Sequence, residues 1–231
     1  IHAAGDPEKG RSAYDALELM NIGVQFLREH VIQEARIHYA VTDTGGEAPN
    51  VVQAHAEQLY MIRAPKIDQV MDIYRRINLI ANGAAMMTET TCTIQFIKGC
   101  SNLLANKVVG RQMHKALVEI GVPEYTEEEF AWAEQYVNTV GNSGLDEASK
   151  KTALKYATPE EKEALVASFS KPICDVVFPF DEAGSPVAGS TDVSDVSMVA
   201  PCTYFGTATW VLGSPGHSWQ HVAQGKSSVA H

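Results

Sequence analysis

Two hydrophobic periods alternate through the first hundred residues, and only a layered fold uses both. Ala13, Ala16, Leu17, Met20, Val24 and Leu27 recur at three- and four-residue spacing. That is one apolar face of a helix of about five turns, with Ser12 as its expected cap. Residues 35–42 then switch to period two, with Ala35, Ile37, Tyr39 and Val41 set against Arg36, His38, Ala40 and Thr42. This is a half-buried strand. A turn at Thr44-Gly45-Gly46-Glu47-Ala48-Pro49 leads to a second strand over 51–63, and Pro65 opens a helix whose face is Ile67, Val70, Met71, Tyr74, Ile77 and Ile80. Cys92, Ile94 and Phe96 alternate with Thr91, Thr93 and Gln95, which predicts a third strand. The order is helix, strand, strand, helix, strand. One more strand ahead of Ile1 would complete a ferredoxin-like βαββαβ unit.

The texture changes after Cys100. Residues 107–120 read as a helix with Val108, Met113, Leu117 and Ile120 inward, and an acidic, polar, helical insertion follows at about 124–170 with a Gly/Asn turn at 141–144. From 171 the chain is rich in Gly, Pro and Ser, with short apolar strands expected at Val196–Ala200 and Thr203–Val211. The expected class is α/β in the α+β sense, with one domain over 1–100 and a second over 101–231.

A net charge of −10 and the lack of a basic stripe argue against a nucleic-acid footprint. Cys92, Cys100, Cys174 and Cys202 show no CxxC spacing, so reduced thiols in a cytoplasmic protein are expected. No apolar run approaches the ~20 residues of a membrane span. The chain opens Ile1-His2-Ala3-Ala4-Gly5 without an initiator Met, and a piece of a longer protein is the expectation.

Of the eight histidines, His30, His38, His55 and His114 have no metal-ligating neighbour at ligand spacing and read as surface or packed imidazoles. His2 and His217 lie in Gly/Ala/Pro-rich loops, where functional groups are commonly displayed. His221 follows His217 at i+4, but no intervening Glu completes a metal-binding helix motif. Asn50 and Arg63 sit at the two ends of one expected strand, and an Arg fork grips carboxylates in bidentate fashion. Gly189-Ser190-Thr191-Asp192 is a turn whose Asp could cap, bind metal or hold a loop.

Taken in order, these pieces resemble the dinuclear-zinc peptidase and amidohydrolase family of aminoacylases, glutamate carboxypeptidases and desuccinylases. His2-Ala3-Ala4 resembles the loop that opens the family's lid domain. Ala48-Pro49-Asn50-Val51-Val52 with Tyr60-Met61-Ile62-Arg63 is similar to its lid strand. Gly189–Asp192 is similar to its GGTD turn, and Pro215-Gly216-His217-Ser218 to its C-terminal metal-binding loop. Within the family, Ala16–His30, Tyr39–Val52, Gly99–Asn106 and Gly213–Gly225 resemble the p-aminobenzoyl-glutamate hydrolase subgroup.

The resemblance implies a lid (dimerisation) domain joined to the C-terminal half of a zinc-peptidase catalytic domain. It implies two Zn2+ (or Mn2+) in the intact parent, with His217 as a metal ligand. His2 would be the catalytic donor to the tetrahedral oxyanion, reaching a neighbouring subunit, and Asn50 and Arg63 would bind the substrate's carboxylate. The substrate would be an N-acyl amino acid or dipeptide-like amide, and the partner a second copy or a related subunit. The family's HxD motif and paired metal-site glutamates have no counterpart here: Glu128-Glu129 and Glu160-Glu161 lie in the acidic insertion. The chain alone is therefore expected to be inactive. Two rival readings are a non-catalytic interaction module and a cysteine hydrolase pairing Cys174 or Cys202 with His217.

Overall fold

The computed structural model describes residues 1–140, 145–184 and 189–231, so the expected turn at 141–144 lies outside the described residues. The chain divides into two compact units, one of Ile1–Asn102 with Ser190–Asp195, the other of Leu103–Gly189 with Val196–His231.

In the first unit, α1 (Ala13–Arg28) begins where Ser12 Oγ accepts the Asp15 N–H, as the sequence leads one to expect of a Ser cap. Strand β1 (Arg36–Asp43) pairs antiparallel with β2 (Glu57–Arg63), and α2 (Ile67–Met87) follows. The turn after β1 places Gly45 at φ 80°, with its N–H bonded to Asp43 Oδ1 at 2.7 Å. A Cβ there would stand 2.1 Å from the His55 carbonyl oxygen, so only glycine fits.

The predicted helix faces close on one side of this hairpin. Val24, Leu27, Ala35, Ile37, Ile73 and Ile77 form the buried core, and Met20, Val31, Tyr60, Ile62 and Ile80 pack against it. Burying each large aliphatic side chain is worth roughly 1.5–3 kcal/mol, which is why periodicity governs this unit. Arg28 ties the end of α1 to the sheet by donating to the Ile37 carbonyl at 2.6 Å.

Two features of this unit depart from the sequence reading. The second strand occupies Glu57–Arg63 rather than 51–63, with Val51 outside it, bridged to His2 and bonded through its N–H to the Ala48 carbonyl. Residues 91–96 form no ladder. Phe96 instead meets Tyr74 edge-on at 5.5 Å, so its apolar contact is with a helix side chain rather than a sheet neighbour. Among the described residues the sheet thus has two strands, and the architecture is α+β without the expected third strand.

The second unit is mainly helical: α3 (Lys107–Ile120), α4 (Glu127–Val140), α5 (Glu147–Tyr156), α6 (Pro159–Ser168) and, after the short α7 (Val193–Ser197), α8 (Trp219–Gln224). Asn106 caps α3 by accepting from Val108 and Val109 N–H, and Thr158 with Glu161 makes a capping box on α6. Its core gathers Ala133, Ile173, Val211 and Val229 under Tyr125, Phe130, Trp132 and Tyr136. Gln224 is fully buried and fully used, accepting from Val211 N–H at 2.7 Å and donating to Ser214 Oγ and the Gln220 carbonyl. Satisfaction of this kind is what makes a buried amide tolerable.

The inner side of α3 is Gly110, Met113, His114 and Leu117, while Val108 and Ile120 face solvent, contrary to expectation. Gly110 decides this, since a Cβ there would meet Phe180 at 2.9 Å. The strands expected at Val196–Ala200 and Thr203–Val211 are also absent: Val196 belongs to α7, and only Cys202 makes a lone bridge, to Ala105. Among the described residues no helix is long and apolar enough to cross a membrane.

Candidate functional site

Two of the residues singled out from sequence meet in the first unit. The opening loop is stitched to residues 50–52 by Ala3 N–H to the Asn50 carbonyl at 2.8 Å and Val52 N–H to the Ile1 carbonyl at 3.0 Å. This pairing sets His2 opposite Val51 and turns its ring along the Asn50 side chain. His2 Nε2 lies 3.5 Å from Asn50 Nδ2, while His2 Nδ1 accepts the Ala4 and Gly5 N–H groups, each at 3.1 Å. Both side chains are exposed, so the ring edge carrying Nε2 is presented to solvent beside a carboxamide. A ring held on one side by backbone and open on the other is built to make a directional hydrogen bond.

Arg63 closes β2, in register with Arg36, and donates to Met61 Sδ at 3.4 Å. Asn50 therefore does not share a strand with Arg63, as the sequence reading had it: it lies in the loop ahead of β2.

Thr191 and Asp192 form the entry to α7. The Ser194 and Asp195 N–H groups bond to the Thr191 and Asp192 carbonyls, and Thr191 Oγ1 accepts from Val193 N–H at 3.3 Å. These bonds are those of a structural turn. The sequence does not single out Asp195, yet its carboxylate accepts the Ser101 N–H at 2.9 Å. Hydrogen bonds from the Ser101 side chain and backbone, helped by the charge of Lys98, hold its carboxyl below the ordinary aspartate range. Only the spacing from Asp192 could have hinted at it, and acidic residues near helix starts are too common to signal a role.

In the second unit His217 is exposed and adopts φ 59°, a left-handed conformation that few residues other than glycine take. It stands just ahead of α8, whose cap Ser218 accepts the His221 N–H at 3.2 Å. No hydrogen bond or ion pair engages the His217 ring among the described residues. The neighbouring His221 is occupied otherwise, its ring 3.7 Å from that of Trp210, whose indole N–H donates to the His221 carbonyl. Cys174 Sγ faces the Val176 carbonyl at 3.5 Å. A shallow cavity of about 270 Å³, lined by Gly121, Val122, Leu165 and Asp175 among others, includes none of the residues expected to be functional.

No family model matches the sequence. Over 232 aligned residues covering all of this chain, 43% are identical to one of the subunits of the p-aminobenzoyl-glutamate hydrolase of Escherichia coli (strain K12). The chain is a homologue of that protein. It spans 48% of that relative's length. A weaker likeness, 27% over 120 residues, links it to human Xaa-Arg dipeptidase, covering 52% of this chain and 27% of that protein. The mouse Xaa-Arg dipeptidase is 29% identical over 94 residues, covering 41% of this chain and 22% of that protein.

Proposed function

We propose that this chain is part of a metal-dependent amidohydrolase that cleaves the amide bond of an N-acyl amino acid, with aminobenzoyl-glutamate or a dipeptide-like relative as substrate. The observation that carries the reading is the 43% identity to the Escherichia coli hydrolase along the whole of this chain. The meeting of His2 and Asn50 supports it, since both belong to the residues the family resemblance marks out.

In this reading His2 donates a hydrogen bond to the oxygen that becomes negative as the amide carbonyl is attacked, a contribution commonly of about 100-fold or more. Arg63 and Asn50 hold the substrate's free carboxylate, and His217 is one metal ligand. The family's centre takes two ions, zinc or manganese, each needing several imidazole and carboxylate donors. Among the described residues no group of three or more His, Cys, Asp or Glu could hold an ion. The chain spans 48% of its Escherichia coli relative, and in this reading the remaining donors and the general base belong to the rest of the enzyme.

A second reading, a non-catalytic dimerisation or interaction module, draws on the sheet. Leu59 and Met61 remain 45% and 54% exposed on β2, an apolar surface suited to a second copy or a related subunit. The Escherichia coli relative is by name one subunit of its hydrolase, which supports assembly.

The deciding experiment assays p-aminobenzoyl-glutamate cleavage by this chain alone and by a longer polypeptide containing it. The proposal expects turnover only from the latter. Turnover by the chain alone would remove the shared-centre argument, and an inert but oligomeric longer polypeptide would favour the interaction module.

A further inference from the structure

The loop around His2 holds more than a position. Nδ1 accepts N–H groups from Ala4 and Gly5, both at 3.1 Å, and the Gly5 N–H is shared with the His2 carbonyl at 3.2 Å. A nitrogen that accepts two N–H groups cannot carry a hydrogen of its own, so the neutral ring must bear its proton on Nε2. That proton points at Asn50, whose nearer side-chain atom is assigned as nitrogen at 3.5 Å. Two donors cannot face each other. Oxygen and nitrogen of a carboxamide exchange by a half-turn that leaves its shape unchanged, and the hydrogen-bond network decides between them. With the half-turn, Asn50 Oδ1 accepts from Nε2.

We propose that the Ala4 and Gly5 backbone amides lock His2 as the Nε2–H tautomer, and that Asn50 is a positioning residue holding that N–H in place to be offered as a hydrogen bond, without proton transfer, to an incoming anionic oxygen. The lock stands on the loop geometry alone, whereas the identity of the incoming oxygen as a reacting amide rests on the function proposed above. With Oδ1 on the imidazole, Asn50 keeps its two Nδ2 hydrogens as donors, so it can position the ring and still join Arg63 on a carboxylate. No protonation of His2 is required: a neutral imidazole donates as it stands.

The test is 15N NMR of the 231-residue chain labelled in histidine, with the His2 signals assigned by their loss in His2→Gln. The expected spectrum at neutral pH has His2 Nδ1 shifted as an unprotonated, pyridine-like nitrogen and Nε2 as a protonated, pyrrole-like one. Averaged shifts, or a proton on Nδ1, would overturn the lock. In Asn50→Leu the tautomer should persist while the Nε2 proton exchanges faster with water; Asn50→Asp, which keeps an acceptor oxygen, should restore slow exchange. Equal exchange in all three proteins would remove Asn50 from the proposal. Amide spectra of the Val24–Ile77 core report whether each variant folds. None of these readouts involves hydrolysis, so an inert parent enzyme with the expected spectrum would sink the proposed activity and leave the tautomer lock standing.

Discussion

Tyr60, in β2, donates its hydroxyl hydrogen to Asn21 Oδ1 on α1, so one side-chain bond joins sheet to helix beside the buried core. The phenol also lies 5.4 Å from the ring of Tyr39. Burial first, and then the charge Tyr39 would carry, push the Tyr60 pKa well up.

The consequence for stability has a definite sign. The folded chain keeps the Tyr60 proton at pH values where the unfolded chain has lost it, so stability falls as pH climbs past about 10. Urea denaturation across the alkaline range should show this decline, and Tyr60→Phe should flatten it. At neutral pH the same substitution should cost about 1 kcal/mol through the lost bond to Asn21.

The two helices of the first unit approach closely at Gly23, where an added Cβ would stand 2.6 Å from Ile80 Cγ2. Overpacking of this kind costs about 1–3 kcal/mol, against a gain of about 1 kcal/mol from better helix propensity. Gly23→Ala should therefore destabilise. Gly83 on α2 has open space at the same test, so Gly83→Ala should stabilise by about 0.5–1 kcal/mol. Denaturant midpoints of the two variants should move in opposite directions.

His217 carries a left-handed backbone at an exposed position, which is strain without a packing reason. His217→Gly should be more stable than His217→Ala by about 1 kcal/mol, because only glycine is at ease there. In the longer enzyme both should lose bound metal alike. Equal stability of the two would mean that the loop relaxes, and full metal content in either would exclude His217 as a ligand.

The sequence was most legible where one face had to be buried. The spacing of Leu17, Val24 and Leu27 in α1 and of Ile73 and Ile77 in α2 is dictated by a core that the helix period must meet, and burial follows it. Alternation at 91–96 failed because it reports which side chains could share a face, not whether an edge is available to pair with; Phe96 stays 55% exposed against Tyr74. Val108 and Ile120 misled for a related reason, since α3 is oriented by Gly110, a residue that hydrophobic patterning ignores. Of the candidate site, loop composition drew attention to His2 and His217. It could not reveal that Asn50 touches His2, because that contact depends on how the opening loop pairs with residues 50–52.

The most direct measurement is the steady-state kinetics of p-aminobenzoyl-glutamate hydrolysis by the longer polypeptide carrying His2→Gln in this segment, with metal content determined alongside. If His2 is the donor to the developing oxyanion, kcat falls on the order of 100-fold or more while bound metal is unchanged. A variant that keeps its full kcat, with metal in place and the fold intact, would contradict the account.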